Sequence, residues 1–356
     1  LERYPESKLM HRKMVRVSEA VAAMEGSEEV AAEARDYLYR GQSNDPYWHG
    51  VFGGLYLLHL RTGNYRSLLK AENLARPGRG VEVERVDFDG DGRDEVLVSS
   101  PRVNCYLHSV GGQIFELDDR RAAWNLLATL ARRPEPYHEE GEGGDYDWYP
   151  RRALIDHCLR EDTTLEGFAT CRHGEQGDFV DQPYEVEVDS RGDDVSVRFR
   201  REGGVWVGDE LLPVTVAKEL VFGGDSGEID VTYRLEQPGE TPLSLWFASE
   251  LNLALSSGTG KRCYYDLPRG RKPLGHRGSH RAVSEMALVD EWVGCRVGLR
   301  FERAADVWTF PVETLSQGLE GVERVFQGCC VTPHWRVDLL PGRPWTVGFK
   351  LSLETV

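Results

Sequence analysis

The residues best spaced for chemistry form the run Asp87-Phe88-Asp89-Gly90-Asp91-Gly92-Arg93-Asp94-Glu95. Carboxylates at its first, third and fifth positions, glycine at the sixth and an acid at the ninth match a calcium-binding loop. A hard cation needs several oxygens at once, and alternate side chains of a tight turn can converge on one point. Gly92 permits the turn, and the Arg93 carbonyl stands where such loops donate a backbone oxygen. The twelfth position is Val98 rather than the bidentate glutamate of an EF-hand, and strand-forming residues follow. The loop therefore reads as a short calcium loop between strands. Asp87, Asp89, Asp91, Glu95 and the Arg93 carbonyl are the expected ligands of a structural Ca²⁺ without a catalytic role. The plainer reading is a solvated acidic turn.

A second candidate is Gln42-Ser43-Asn44-Asp45-Pro46-Tyr47-Trp48-His49-Gly50-Val51-Phe52-Gly53-Gly54. Asn44 and Asp45 can bind hydroxyls, and the face of Trp48 can stack on the C–H groups of a sugar ring. Asp45 and His49 are four apart and share one face if the segment is helical from Asp45. The glycines would let a ligand or another backbone come close. The plainer reading is a helix cap beside a packed aromatic. In Gly144-Asp145-Tyr146-Asp147-Trp148-Tyr149 aromatics stand beside carboxylates, and the aromatic pair is expected to anchor its own loop. His276, Arg277 and His280 form a basic polar loop without a third metal ligand close in sequence.

The elements that must position these residues change character along the chain. Met10, Met14, Val17, Val21 and Met24 recur at spacings of four and three, one apolar stripe of a helix that Pro5 can start and Gly26 can end. Ser27 can cap a second helix with Val30, Ala31, Ala34, Tyr37 and Leu38 on its buried face. A third helix is expected over Trp48 to Leu60, continuing or restarting over Tyr65 to Leu74. Beyond Arg76-Pro77-Gly78 the alternation of strands takes over, at 95–99, 103–108 and 113–117. Ala122 to Arg132 is expected to form a short helix, and Glu139 to Asp147 a loop. Further short strands are expected at 185–188, 195–199, 205–207, 214–221, 229–233 and 243–254, and alternation returns over 335–353. The expected fold class is α+β: a helical domain over residues 1–78, then a large antiparallel β-sandwich over 79–356.

The 356 residues carry 43 basic and 59 acidic side chains, a net charge of −16. That field repels nucleic acid and anionic membrane surfaces, so neither is expected as a partner, while a neutral substrate is unaffected. No apolar run is long enough to cross a bilayer. The seven cysteines are scattered and contain no CxxC, which fits reduced thiols and a cytoplasmic setting. The chain opens on Leu1-Glu2-Arg3-Tyr4-Pro5, already near a helix start, and reads as a piece of something longer. A leader upstream therefore stays open. No nucleophile-elbow, metalloprotease, Walker or dinucleotide fingerprint is present.

Gln42 through Gly54, with Leu55-Tyr56-Leu57-Leu58-His59-Leu60-Arg61, resembles the last signature segment of glycoside hydrolase family 57, in its branch of 4-α-glucanotransferases and α-amylases. Tyr4-Pro5-Glu6-Ser7 with Met10 to Met14 is similar to that branch's preceding helical stretch. Asn125-Leu126-Leu127 with Arg132 to His138 is similar to its linker. Gly177 to Val180, Pro183-Tyr184, Glu250 to Ala254 and Trp308 to Ser316 are similar to its C-terminal domain, described as a galactose mutarotase-like supersandwich. The resemblance covers essentially the whole chain. It implies a parent enzyme working by a retaining mechanism on α-1,4-glucan: maltooligosaccharide, starch or glycogen. A glutamate nucleophile and an aspartate acid/base would sit on an incomplete barrel that precedes this region. No segment here matches either motif, so the resemblance assigns no catalytic residue. It makes Asn44, Asp45, Trp48 and His49 substrate-facing, with the missing barrel as partner. Ser43 stands where relatives often have cysteine, and Leu58 where many have proline. The alternatives are a self-standing carbohydrate-binding or structural module, and a sandwich enzyme such as an aldose epimerase with its own acid/base pocket.

Overall fold

The computed structural model describes residues 3–50, 54–138, 144–224, 226–318 and 321–356. Helix α1 (Pro5–Ala22) begins at the proline, and Met10, Val17 and Val21 of its predicted stripe are buried. Helix α2 (Glu28–Gly41) packs Ala34 and Leu38 inward, whereas Val30, expected on the same face, is exposed. Helix α3 (Leu58–Ala75) joins both through Leu68 and Ala71.

The expected helix over Trp48–Leu60 is not formed. Short 3₁₀ turns at Asp45–Tyr47 and Gly54–Tyr56 flank an extended Trp48, with φ −148° and ψ 164°. Gly54 takes φ +45°, and a Cβ there would lie 2.4 Å from the Trp48 carbonyl oxygen, so only glycine fits. Pro46 and this left-handed glycine override the weak helical spacing.

Among the described residues seventeen strands follow. They are β1 (Glu82–Val86), β2 (Glu95–Ser99), β3 (Val103–His108), β4 (Gln113–Asp119), β5 (Trp124–Asn125) and β6 (Ala153–Leu159). After the short helix α4 (Leu165–Ala169) come β7 (Glu185–Arg191), β8 (Asp194–Val207), β9 (Glu210–Gly223), β10 (Glu228–Glu236) and β11 (Leu243–Leu253). The last are β12 (Cys263–Asp266), β13 (Lys272–Pro273), β14 (Gly278–Asp290), β15 (Cys295–Gly318), β16 (Gly321–Leu339) and β17 (Trp345–Thr355).

All these strands pair antiparallel, in two layers. One runs β7-β8-β9-β10-β17 and continues through residues 295–301 of β15. The other runs β1-β2-β3-β4-β6-β11-β16 and ends on residues 306–318 of β15. The β14–β15 hairpin passes from one layer to the other where its register slips around Val283, beside Ala282 at φ 52°. Between the layers lies one core: Cys105, Leu107 and Leu117 meet Val197, Phe199, Val216 and Tyr233. In β10 alternation places Ile229, Val231, Tyr233 and Leu235 inside.

One ion pair is buried inside this core. Lys218 Nζ on β9 donates to Asp156 Oδ2 on β6 at 2.8 Å and to the Leu154 carbonyl at 2.7 Å. Tyr184 and Tyr233 hydroxyls also donate to Asp156, so both charges have partners.

Helices α1 and α3 cover the outer face of the second layer. Lys13 on α1 is fully buried and reaches Glu72 of α3 at 2.8 Å, Glu116 of β4 at 2.8 Å and Asp118 at 3.1 Å. Arg61 on α3 is likewise buried and donates to the Ala128 carbonyl at 2.9 Å and to Gln327 of β16 at 2.5 Å. The predicted helix over Ala122–Arg132 is replaced by β5 and an irregular stretch. Leu126 through Ala131 are buried there, and the chain's hydrogen bonds go to neighbours: Leu126 N–H to Leu117 O, Ala254 N–H to Leu126 O, Thr129 Oγ1 to Arg151 O. Tertiary partners outcompete the local helix. Of the acidic loop, residues 139–143 lie outside the described residues.

Candidate functional site

Three of the residue sets singled out above, and a fourth that only the fold assembles, carry chemistry. The first is the turn after α2. Asn44, Asp45 and Trp48 are exposed, the indole at 51% of its full area, while Pro46 beneath them is buried. Leu55 N–H donates to the Trp48 carbonyl at 2.9 Å, and the Tyr47 hydroxyl donates to Gly41 O at 2.7 Å, which fixes the turn. His49 leaves the turn toward an aromatic group: ring centroids lie 4.5 Å from Tyr56, 5.6 Å from Tyr137 and 6.2 Å from Tyr4. Asp45 and His49 therefore do not share a helix face, because the 3₁₀ turn ends at Tyr47 and Trp48 is extended. The turn offers a half-exposed indole in the same segment as an exposed amide and an exposed carboxylate. Such a surface can stack on and hydrogen-bond a sugar.

The second set is the acidic loop between β1 and β2. Asp87 Oδ1 accepts from Asp91 N–H at 3.0 Å and its Oδ2 from Gly92 N–H at 3.1 Å. Asp91 Oδ1 accepts from Arg93 N–H at 2.8 Å. Both Asp87 oxygens thus accept backbone N–H groups, and Asp87, a ligand expected from the spacing, is not among the side chains that converge. Glu95, at the start of β2, is buried; its Oε2 takes the Phe88 and Asp89 N–H groups at 2.7 and 3.2 Å. Its Oε1 is buried with no hydrogen-bond partner, and burial raises the pKa of this carboxyl. Asp89, Asp91 and Glu95 converge with His108 of β3, a residue the spacing argument missed. His108 Nε2 lies 3.4 Å from Asp89, 3.6 Å from Glu95 and 3.7 Å from Asp91. Its Nδ1 accepts from Val110 N–H at 2.9 Å, so in the neutral ring the proton sits on Nε2. His108 thus faces the carboxylates as a donor, and the ligand set stays all oxygen.

The third set is the loop Gly144–Tyr149. Asp147 is buried between Arg132 and Arg151, 2.6 Å from each. Burial would raise its pKa, but Arg151 and then Arg132 outweigh burial and hold it low. The Tyr149 ring is buried and anchors the loop, while Trp148 stays exposed.

The fourth set was not legible in the sequence. Glu250 in β11 accepts from Arg151 at 2.6 Å, Tyr149 OH at 2.8 Å and Asn252 Nδ2 at 2.7 Å. His157 of β6 stands between two carboxylates, Nδ1 2.7 Å from Glu175 Oε2 and Nε2 3.0 Å from Glu250 Oε2. Burial alone would lower its pKa, but these two bonds and charges lift it to about 9. Burial opposes ionisation of Glu250, yet Arg151 and His157 hold its pKa well below the usual range. Burial and the neighbouring His157 charge push His173 down to about 4. A charged residue in the middle of an apolar strand, Glu250 between Ser249 and Leu251, was the one available signal. Phe168 and Tyr149 rings stand directly against His157, 5.2 and 5.4 Å away between centroids. The His157–Glu250 pair thus sits under aromatic cover.

The architecture defines the class first: α+β, a helical segment on an antiparallel sandwich of the mutarotase-like kind. A galactose mutarotase-like protein from Clostridium acetobutylicum superposes with a TM-score of 0.52 at 9% identity, over 78% of this chain and 100% of that one, a likeness of fold alone. Two family models match by sequence. "Alpha-amylase/4-alpha-glucanotransferase, middle domain" covers residues 1–75, and "Alpha-amylase/4-alpha-glucanotransferase, C-terminal" covers 87–143 and 145–349. The chain is 33% identical to the 4-alpha-glucanotransferase of Thermococcus litoralis, across 94% of this chain and 50% of that protein. It is 32% identical to alpha-amylase 1 of Dictyoglomus thermophilum, across 99% of this chain and 54% of that protein. The crystal structure of the Thermococcus litoralis 4-alpha-glucanotransferase superposes with a TM-score of 0.81 at 32% identity, covering 99% of this chain and 50% of that one. The chain belongs to the alpha-amylase/4-alpha-glucanotransferase family. It spans about half the length of the curated relatives it matches.

Proposed function

We propose that this chain is the helical and sandwich portion of a retaining α-1,4-glucan-acting enzyme, a 4-α-glucanotransferase or α-amylase. The nucleophile and acid/base belong to a barrel domain outside it. In such chemistry a carboxylate forms a glycosyl-enzyme, and water or a second glucan then receives the sugar. The chain contributes Asn44, Asp45, Trp48 and His49 as a substrate-facing patch. The observation that carries this reading is the half-exposed Trp48 indole held on a turn that a buried proline and a left-handed Gly54 make rigid. A solvent-exposed aromatic fixed in this way loses little freedom on binding.

Calorimetric titration with maltoheptaose tests it, together with a transglycosylation assay. Binding that is abolished by Trp48→Ala supports the patch. Binding that survives moves the sugar to the sandwich and favours a self-standing binding module. The cavity of about 270 Å³ between His59, Arg66, Trp124 and the exposed Trp292 is then the first place to look. Glucan transfer by this chain alone sinks the assignment of the catalytic carboxylates to another domain.

Calcium belongs to the same reading as a structural ion. The set Asp87, Asp89, Asp91, Glu95 and the Arg93 carbonyl offers only hard oxygens, as Ca²⁺ requires. The buried, unpaired Glu95 Oε1 fits a cation, since an orphaned carboxylate oxygen there is otherwise costly. Bound Ca²⁺ would neutralise the loop and tie β1 to β2. A melting temperature that rises with Ca²⁺ and falls with a chelator supports this; no shift in either direction removes the ion from the loop.

A further inference from the structure

We propose that His157, His173 and Glu175 form a transition-metal site, of a kind suited to Zn²⁺, that ties the segment after α4 to strand β6. The site is separate from the acidic loop in sequence, position and donor chemistry.

The first observation is His173. Its ring is 0% exposed, and neither Nδ1 nor Nε2 has a hydrogen-bond partner. A buried polar atom left unpaired is costly, and here one ring leaves two. Phe168 packs on the ring with centroids 4.6 Å apart, so the ring is held rather than loose.

The second observation is how Glu175 is divided. The chain runs back along β6 there: Leu159 and Glu175 form a bridge, and Gln176 N–H donates to Cys158 O at 2.9 Å. Glu175 Oε1 is occupied by Cys158 N–H at 2.7 Å and Gly177 N–H at 3.1 Å. Its Oε2 is turned the other way, 2.7 Å from His157 Nδ1 and 4.0 Å from His173 Nε2. The ligand atoms of all three residues lie within 4.8 Å of one another.

The third observation is what stands behind His157. Its Nε2–H is held by Glu250 Oε2 at 3.0 Å, and Arg151, Tyr149 and Asn252 hold Glu250 in turn. Metal-bound histidines commonly donate their second N–H to a carboxylate, which sets the tautomer and aims the other nitrogen at the ion. Glu250 is thus a positioning residue, with Nδ1 of His157 left as the ligand atom.

Two imidazole nitrogens and one carboxylate suit zinc or its neighbours and are poor donors for Ca²⁺ or Mg²⁺. Donors around a tetrahedral zinc at about 2.0–2.1 Å stand roughly 3.3 Å apart. The short Glu175–His157 contact therefore opens and the long Glu175–His173 contact closes when the ion enters. The ion replaces the proton shared between His157 Nδ1 and Glu175 Oε2. One proton leaves to solvent for each ion bound, and no electron moves.

The test uses the 356-residue chain, stripped by chelator, then held in excess Ca²⁺ so that the acidic loop is saturated. Titration with Co²⁺ and then Zn²⁺ should load one further ion, with visible Co²⁺ absorption of a four- or five-coordinate nitrogen–oxygen site. Zinc should displace the cobalt, stay through desalting and raise the melting temperature. His173→Ala should remove that ion, yet leave the metal-free protein as stable as before or more so. Glu175→Gln keeps an oxygen for the backbone and should weaken zinc at least tenfold. Asp89→Asn in the acidic loop should leave the extra ion in place. The proposal falls if the wild-type chain retains no extra ion after desalting. It also falls if the extra ion survives His173→Ala, or disappears with Asp89→Asn.

Discussion

The acidic loop and the buried His157–Glu250 cluster both concentrate carboxylates, but they are built in opposite ways. In the loop, all the carboxylates lie within nine consecutive residues at the edge of the sheet, and most of their oxygens are turned by local backbone N–H groups. In the cluster, residues as far apart as Asp147, Arg151, His157, Glu175 and Glu250 meet under aromatic cover, and each charge is held by another side chain. The loop leaves the buried Glu95 Oε1 without a hydrogen-bond partner, which is where the proposed cation would sit. The cluster brings its own cations, Arg132 and Arg151. Negative charge near the surface can wait for an ion, whereas buried charge must be paired before the fold closes.

The largest test of that contrast is Glu250→Ala. It leaves the buried Arg151 and His157 without their shared carboxylate, and breaking a buried pair on one side costs about 3–5 kcal/mol. Urea unfolding should show a loss of that size. A loss under about 1 kcal/mol would mean that water enters the cluster freely and that its partners are not interdependent.

Acid attacks the same cluster. The Asp147 carboxyl is held below its ordinary range in the folded state by Arg151 and Arg132. Its contribution to stability is therefore complete above its unfolded value of about 3.9 and is lost as pH falls through the folded one. Melting temperature should decline below about pH 4, and Asp147→Asn should flatten that decline while lowering stability at pH 7. An unchanged acid limb in the variant would remove Asp147 as its source.

The loop should respond to the solvent ion instead. A calcium concentration 100 times the dissociation constant stabilises by about 2.7 kcal/mol. Chelation should cost about that much in the parent chain and nothing in Glu95→Gln, where a ligand charge is gone. If chelation destabilises the variant equally, the ion lies elsewhere.

This contrast also decides what could be read from the sequence. The α1 stripe, the alternation of β10 and the carboxylate spacing of the loop are local patterns, and each is present in the fold. The resemblance to the glucanotransferase and amylase family was legible for the same reason, being carried by contiguous segments. His108 was invisible because it reaches the loop from the next hairpin. The helix expected from Trp48 does not form because Pro46 and the left-handed Gly54 set the backbone around it. The 122–132 stretch does not form the expected helix because its hydrogen-bond partners, Leu117, Arg151 and Ala254, all lie outside it in sequence. His157, His173, Glu175 and Glu250 have no spacing rule at all: pairing of β6 with β11 brings His157 to Glu250, and the bridge between Leu159 and Glu175 brings in the segment after α4.

The smallest expected effect sets the lower limit of the comparison. Arg172 pairs with Asp145 at 3.4 Å on the rim of the cluster, with its side chain 68% exposed. An exposed pair of this kind contributes about 0–1 kcal/mol, because water and salt screen it and both side chains lose freedom. Arg172→Ala should shift urea unfolding by less than about 0.5 kcal/mol. Arg132 touches the neighbouring carboxylate Asp147 from a buried position, so Arg132→Ala should cost several times more. Equal losses from the two variants would show that exposure does not separate the rim from the cluster, and that the buried charges are not the element on which this side of the sandwich depends.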